Sequence, residues 1–357
     1  MKYKKNNKEK IRTDKKAYKS VKQRILVYAG RFFATLGITI VFLVAFLYSV
    51  MFMLVHGPSP KAADLFVMSV RETSAIGFLA NLFYSEDEIE QIIARNSIQD
   101  TDKVTNTDLV VIEPDDNTGT DNDEKEEQQE IEVIDISGAT YTGKLMIVKD
   151  PSRVFVGTVE AFYKGSGQVI ADMASRYNAV AGINGGEFVD GENTYTAMPV
   201  GLVMTDGVIR NGNENTTYHV TGLTYDNVLV VGNMTGKQAK EMGIRDCVSI
   251  NNSIGPFLIV NGEAMDVSGV GGGLNPRTAI GQRADGSILL LTIDGRQASS
   301  LGASFADLVY IMQEYGAVNA STMDGGTSTQ MYYNGEVINQ PYSPTGPRRC
   351  PTGFLVK

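Results

Sequence analysis

Along the first 132 residues the apolar pattern changes character three times. Residues 32–55, Phe32 to Val55, run without a charged side chain. As a helix the run would measure roughly 36 Å at ~1.5 Å per residue, longer than a bilayer core of ~30 Å. A lone apolar segment satisfies its own backbone in lipid only as a helix, so the pattern predicts one transmembrane helix. A cleaved signal peptide is the main rival, but its apolar region should be only ~7–15 residues long, and no convincing small-residue cleavage site is visible. Over 56–96 the apolar positions thin out to Leu65, Val67, Met68, Ile76, Leu79, Leu82 and Phe83. This predicts a juxtamembrane amphipathic segment, helical, lying near the membrane surface or packed on the next domain. Residues 97–132 lose the pattern and are expected to form an acidic, disordered linker. Between Pro114 and Glu130, acids at 115, 116, 121, 123, 124, 126, 127 and 130 face one base, Lys125. Such a run stays solvated and extended, and no register in it supplies the glycine that a calcium-binding EF-hand loop needs.

From 133 to 357 the grammar becomes mostly β. Short apolar runs at Leu145–Val148, Val200–Met204, Val228–Val231, Phe257–Val260, Ile288–Ile293 and Phe354–Val356 are separated by turn signals. Asn261-Gly262, Asp285-Gly286 and Asn334-Gly335 read as hairpin turns. Two segments have helical spacing. Gln168 to Tyr177 puts Val169, Ile170, Met173, Ala174 and Tyr177 on one face; Ser304 to Tyr315 does the same with Phe305, Leu308, Val309, Met312 and Tyr315. Ser304 with Asp307 resembles a capping box, and Gly316 is a natural stop. The expected class is α+β: a mixed or antiparallel sheet domain with a few packed helices, preceded by one transmembrane helix.

Charge orients this layout. Of 32 Lys and Arg residues, 12 precede Phe32, against 2 of the 41 acids. That basic tail, residues 1–31 and expected to be disordered, belongs on the cytoplasmic side, so the C-terminal domain is expected outside the membrane. The part after Phe32 carries a net charge of −19, which disfavours nucleic acid as a partner. The two cysteines, Cys247 and Cys350, could pair in an oxidising compartment or remain free thiols. The two histidines are His56, at the membrane boundary, and His219, in an ordinary strand pattern. Histidine-rich metal chemistry is thereby excluded, and a histidine-dependent mechanism would have to use His219.

Carboxylates, arginines, hydroxyls and glycine loops remain. A short strand ends at Ile183 and is followed by Asn184, Gly185, Gly186 and Glu187. Paired glycines there would allow a ligand close to backbone amides, or simply make a tight turn. Gly271-Gly-Gly-Leu-Asn-Pro-Arg277 places Arg277 at a loop–strand junction, where its guanidinium could fork onto phosphate or carboxylate, or lie solvated at the surface. Two strands end in Asp-Gly: Asp294, followed by Arg296, and Asp324, followed by Thr327 and Ser328. Two acids beside arginine and hydroxyl donors suit a polar, anionic substrate, though two plain strand-end turns explain them as well.

Four sequence words run in order over roughly residues 140–357. They are Gly182-Ile-Asn-Gly-Gly186, Asn275-Pro-Arg-Thr-Ala-Ile-Gly281, Ile293-Asp-Gly-Arg296 with Gly302-Ala-Ser304, and Asn319-Ala through Asp324-Gly-Gly-Thr-Ser328. Together they resemble the phosphodiester glycosidase family, and the layout is similar to bacterial members tied to exopolysaccharide biosynthesis. Two departures stand out. Glu187-Phe188 replaces the two aromatics often found after Asn-Gly-Gly, and Cys350 stands where a small apolar residue is usual. The resemblance implies a membrane-anchored hydrolase that releases a sugar from a sugar-1-phosphodiester in cell-wall or capsular glycopolymers. It implies Asp294, Asp324 and Arg277 as catalytic groups, with Arg348 or Arg349 as further phosphate ligands. Asn184, Gly185, Gly186, Glu187, Arg296, Thr327 and Ser328 would hold substrate. A calcium or magnesium ion between carboxylates is compatible with it. A non-catalytic glycan-binding factor for polymer assembly and a glycopolymer phosphotransferase remain the alternative functions.

Overall fold

The computed structural model describes residues 2–73, 76–96, 98–99, 101–112, 131–189, 196–251, 255–340, 342–343 and 346–357, with side chains from Val21 onward. The acidic stretch 114–130 lies outside the described residues. The chain divides into two compact units, Met1–Ala63 and Asp64–Lys357.

In the first unit, helix α1 (Lys2–His56) begins within the basic tail and continues through the apolar run. Its portion Val21–His56 is long and apolar enough to cross a membrane, with a mean hydropathy of 2.7. Phe33, Val41, Phe42 and Phe46 on it are all exposed.

The second unit starts well before residue 133. Helix α2 (Pro60–Arg71) enters it, and α3 (Glu86–Arg95) follows, with Ser85 and Glu88 forming a capping box at its start. Val67, Met68, Val70, Ala80, Ile89 and Ile92 close a small core of their own, with Val270 packed against it. Residues 98–112, expected as linker, are also pinned to the domain. Ile98 bridges Val267, Thr105 exchanges hydrogen bonds with Val231, and the Val111 N–H donates to the Ala284 carbonyl. The apolar residues Ile98 and Val110 are buried by this contact.

Three antiparallel sheets form the rest. The seven-stranded sheet runs β1 (Ile131–Ser137), β2 (Thr142–Val148), β13 (Ile288–Ile293), β12 (Arg277–Arg283), β14 (Ala317–Met323), β10 (Phe257–Val260), β11 (Glu263–Ala264). A five-stranded sheet runs β16 (Glu336–Val337), β15 (Met331–Tyr333), β4 (Ala181–Asn184), β17 (Thr352–Val356), β3 (Val154–Thr158). The other runs β6 (Val208–Asn211), β5 (Val203–Thr205), β9 (Ile244–Ser249), β7 (Thr217–Thr224), β8 (Leu229–Thr235). The class is α+β, as the alternation of short runs predicts.

Period-two geometry explains the unbroken apolar strands. In β13, Ile288 and Leu290 point into a central core shared by all three sheets, through Val154, Leu223 and Phe354. Leu289, Leu291 and Ile293 point the other way, under α6 (Phe305–Glu314). Both faces are covered, so no polar alternation is required. Helix α4 (Ile170–Tyr177) roofs the β4–β17–β3 side, and α5 (Gly236–Glu241) packs on the β7–β9 sheet. The hairpin signals act locally: Asn261 and Gly262 both take positive φ, as do Asn334 and Gly335, which suits tight hairpin turns. Ser304 and Asp307 close the predicted capping box on α6. Cys247 and Cys350 are both buried and free, each in a different core cluster.

Candidate active site

Strand β14 ends at Met323 and delivers Asp324 beside the end of β4. The Asp324 N–H donates to the Gly185 carbonyl at 3.1 Å, and Asn184 Nδ2 donates to the Asp324 carbonyl at 2.6 Å. Asn184 Oδ1 accepts from Thr278 Oγ1 at 2.8 Å and from the Gln330 N–H at 3.1 Å. The wholly buried Asn184 therefore ties β4, β12 and the turn after β14 into one junction. Gly185 and Gly186 serve the same junction. Their N–H groups donate to the carbonyl and hydroxyl of Thr352 at 3.0 and 3.1 Å. A Cβ on Gly185 would lie 2.5 Å from Thr352 Oγ1, and one on Gly186 2.4 Å from the Ser249 carbonyl oxygen. Close approach of protein backbone explains these glycines, and their amides are committed to the fold.

The junction brings two carboxylates together. Glu187 is partly buried; burial raises its pKa, and the Asn251 N–H, 2.8 Å from Oε2, opposes the rise. Asp324 is pushed up to about 6. Burial is the main cause and the Glu187 charge adds to it, while the Ser328 hydroxyl, Arg348 and the Gly325 N–H pull the other way. Arg348 lies over the Phe188 ring at 5.6 Å. Ser328 belongs to a single helical turn, Gly326–Ser328, with partly exposed Thr327 beside it. Burial raises both carboxylates, and the Glu187 charge raises Asp324 further, so Asp324 is the group placed to carry a proton at mildly acidic pH.

The arginines form an adjoining group. Arg277 is buried against Phe305, with its guanidinium 4.0 Å from the ring centre. Nε donates to the Ala303 carbonyl at 3.1 Å, and Nη2 to the Gly273 carbonyl at 2.7 Å. Nη2 also lies 2.7 Å from Oε2 of Glu72. Glu72 accepts in addition from the Gly273 N–H at 2.9 Å and from Asn275 Nδ2 at 2.8 Å. Asn275 Oδ1 then receives Nε and Nη2 of Arg296 at 3.2 and 3.0 Å. Arg296 holds a left-handed φ of 58° and lies against Gly326, whose would-be Cβ is 3.4 Å from its guanidinium nitrogens. Burial, then the like charge of Arg277, lowers its pKa, and Glu72 opposes this. Arg296 is thus the arginine turned toward the Asp324 loop, oriented through Asn275 by the Glu72–Arg277 pair.

Asp294 follows β13 at the same end of the sheet as Asp324, across the start of β12, and its carboxylate is already engaged. Its Oδ1 accepts from Asn339 Nδ2 at 3.0 Å and from the Gln340 N–H at 2.9 Å, and its carbonyl accepts from Ser300 Oγ at 2.6 Å. Burial raises its pKa; those two donors and Lys144 counter it. The charges acting on Asp324 are Glu187 and Arg348, and Asp294 is not among them. Sequence reasoning grouped Asp294 with Asp324, and both flank the start of β12; the carboxylate whose charge raises Asp324 is Glu187, which it placed among the substrate ligands. It also missed Glu72 and Asn251, which carry no local signal. His219 stacks on Phe257 with ring centres 3.4 Å apart, and its Nδ1 meets Asn233 Oδ1 at 3.2 Å. Among the described residues no group of three or more His, Cys, Asp or Glu side chains is gathered for a metal ion.

A model of the phosphodiester glycosidase family matches residues 177–357, about half of the chain. Over 65 residues the sequence is 42% identical to the SPbeta prophage-derived uncharacterized protein YomE of Bacillus subtilis, covering 18% of this chain and 10% of that protein. The chain thus spans about a tenth of that curated relative's length. Among solved structures it is similar to the zebrafish N-acetylglucosamine-1-phosphodiester alpha-N-acetylglucosaminidase catalytic domain, auto-inhibited by pro-peptide. Identity is 20% and the TM-score 0.49, over 63% of this chain and 81% of that one. A hypothetical protein from Synechocystis gives 15% identity and a TM-score of 0.46, over 64% of this chain and 61% of that one.

Proposed function

The chain belongs to the phosphodiester glycosidase family, and from that premise we propose that it releases a sugar from a sugar-1-phosphodiester in a cell-surface glycopolymer, with α1 as its membrane tether and Asp324 and Glu187 as the reacting carboxylates. The observation that carries this reading is the Asp324–Glu187 pair, with Asp324 pushed up to about 6. The bond between the anomeric carbon and the phosphate oxygen breaks, and the phosphate leaves as a monoester. Its negative charge is already delocalised, so protonation of the leaving oxygen matters less than in an ordinary glycoside. The ionised carboxylate stabilises the cationic sugar or takes a proton from the water that attacks the anomeric carbon.

Arg348, beside Asp324, and Arg296, beside Gly326, supply positive charge for the phosphate. Arg277, held by Glu72, acts beneath them as a positioning residue. Thr327 and Ser328 line the same turn and can meet sugar hydroxyls.

The test is the full chain in detergent with a small sugar-1-phosphodiester, reading free sugar. Asp324→Asn and Glu187→Gln should each lower turnover by roughly 10²–10⁴-fold, the usual contribution of a positioned acid or base. Unchanged sugar release in both variants would falsify the mechanism.

A further inference from the structure

A cavity of about 410 Å³ opens in a part of the fold that the carboxylate site does not use. None of Asp324, Glu187, Arg277, Arg296 or Arg348 lines it. It lies against β3, the edge strand of its sheet, opposite β5 and β9. Exposed strand edges carry unpaired backbone groups that natural proteins cover. Here side chains do the covering, and they are largely cationic. Arg245 Nη2 donates to the Val154 carbonyl at 2.7 Å, Arg176 Nη2 donates to the Thr158 carbonyl, and the Val156 N–H donates to Asp246.

The lining holds five cations: Arg153, Arg176, Arg210, Arg245 and Lys357. Three acids share it. Asp246 is buried and forms an ion pair with Arg245, while Glu160 and Asp206 are exposed. Arg176, Arg210 and Lys357 have no carboxylate partner among the described residues. The cations are also held in place. The Arg176 guanidinium sits 4.5 Å from the Tyr177 ring centre and donates Nε to Gln168 at 3.1 Å. Lys357 Nζ sits 5.3 Å from the Phe155 ring centre, and Phe155 and Tyr177 meet edge to face at 5.5 Å. Cations fixed by stacking and carbonyl contacts lose little freedom when an anion arrives. A positive cleft is conspicuous in a chain whose segment after Phe32 is net −19, and its volume suits a small ligand.

We infer that this cleft binds a phosphate group, as a second anionic subsite apart from the Asp324–Glu187 site. Forked guanidinium donors and an ammonium group are the residue types that recognise phosphate oxygens. The inference goes beyond the hydrolytic reading and stands without it, because no catalytic residue takes part.

The experiment is calorimetric titration of the full chain in detergent at low ionic strength, with inorganic phosphate and with a sugar 1-phosphate. The chain should bind both saturably, and affinity should fall as salt is added. Tighter binding of the sugar 1-phosphate would mark a saccharide as the source of the phosphate. Arg176→Ala combined with Arg210→Ala should weaken binding at least roughly tenfold, since charge-assisted hydrogen bonds contribute ~1.5–3 kcal/mol each. Arg210→Glu, on the exposed edge strand β6, should weaken it without touching the contacts that Arg176 makes. Hydrolysis of a small sugar-1-phosphodiester should stay unchanged in these variants, and Asp324→Asn should retain cleft binding. The idea is overturned by equal affinity in wild type and both arginine variants, or by no saturable binding to wild type. Neither outcome bears on the hydrolysis test.

Discussion

Oε2 of Glu72 lies 2.7 Å from Nη2 of Arg277, so a residue just past the end of α2 neutralises a buried cation at the start of β12. Side-chain exposure is 22% for Glu72 and 7% for Arg277. Removing one partner of a buried pair leaves the other charge desolvated, at a cost of about 3–5 kcal/mol. Glu72→Ala should sit near the lower end, because Glu72 keeps some contact with water. Chemical denaturation should show a lower midpoint at unchanged slope. Glu72→Gln should be milder, because its carbonyl oxygen can still accept from Asn275. A Glu72→Ala chain as stable as wild type would show that the pair contributes nothing.

This pair also marks the limit of what the sequence makes legible. The hairpin at Asn261-Gly262, the cap at Ser304 and the two-sided strand Ile288–Ile293 depend on neighbours within a few residues, so local rules reach them. Glu72 reads locally as the end of an amphipathic helix. Its role depends on a glycine loop that arrives far later in the chain. Residues 98–112 fail as a linker for the same reason, since their partners Val231, Val267 and Ala284 are all distant. Gly185 and Gly186 read as amides open to a ligand because a sequence does not show which backbone will pass 2.4 Å from a missing Cβ. Asp294 and Asp324 both end strands in Asp-Gly. Only tertiary structure places Asn339 across from one and Glu187 across from the other.

The raised pKa of Asp324 has a signed consequence for stability. An unperturbed aspartate titrates near 3.8, and Asp324 in the folded chain near 6. The folded state therefore holds a proton that the unfolded state has released. Stability contributed by this group is full below about pH 4 and is lost as pH rises through about 6. At ~1.4 kcal/mol per unit the loss approaches about 3 kcal/mol. Asp324→Asn cannot ionise, so it should be more stable than wild type at pH 7 and should converge with it near pH 4, while losing turnover. Denaturation midpoints across pH 4–8 test this. A wild-type minus variant difference independent of pH would contradict the assignment.

Asp294 should respond differently from Asp324. Its Oδ1 receives Asn339 and the Gln340 N–H, and asparagine can keep an acceptor at that position. Asp294→Asn is expected to retain turnover within about tenfold, with at most the modest stability change of a neutral hydrogen bond, ~0.5–1.5 kcal/mol. Asp294→Ala strands both donors and should lose about 1–3 kcal/mol. Turnover assayed well below each variant's melting temperature separates the two aspartates. A loss in Asp294→Asn as deep as in Asp324→Asn would restore Asp294 to the chemistry.

Gly186→Ala couples fold to function most directly. The added Cβ would lie 2.4 Å from the Ser249 carbonyl oxygen and 2.9 Å from Val248 Cβ, so strand β9 must move away from the turn after β4. Overpacking of this kind costs about 1–3 kcal/mol, occasionally more. Glu187 follows directly, and its anchor, the Asn251 N–H, is two residues beyond Ser249. The same shift must therefore move the carboxylate relative to Asp324, and misplacement by ~1 Å can cost ~10²-fold in rate. Gly77→Ala is the control, because its Cβ would meet nothing nearer than 3.6 Å. Gly186→Ala should lose turnover even at temperatures where circular dichroism shows it folded, while Gly77→Ala should match wild type in both. Full activity in a folded Gly186→Ala chain would mean that Glu187 can be displaced without cost, and the Asp324–Glu187 pair would lose its claim on the reaction.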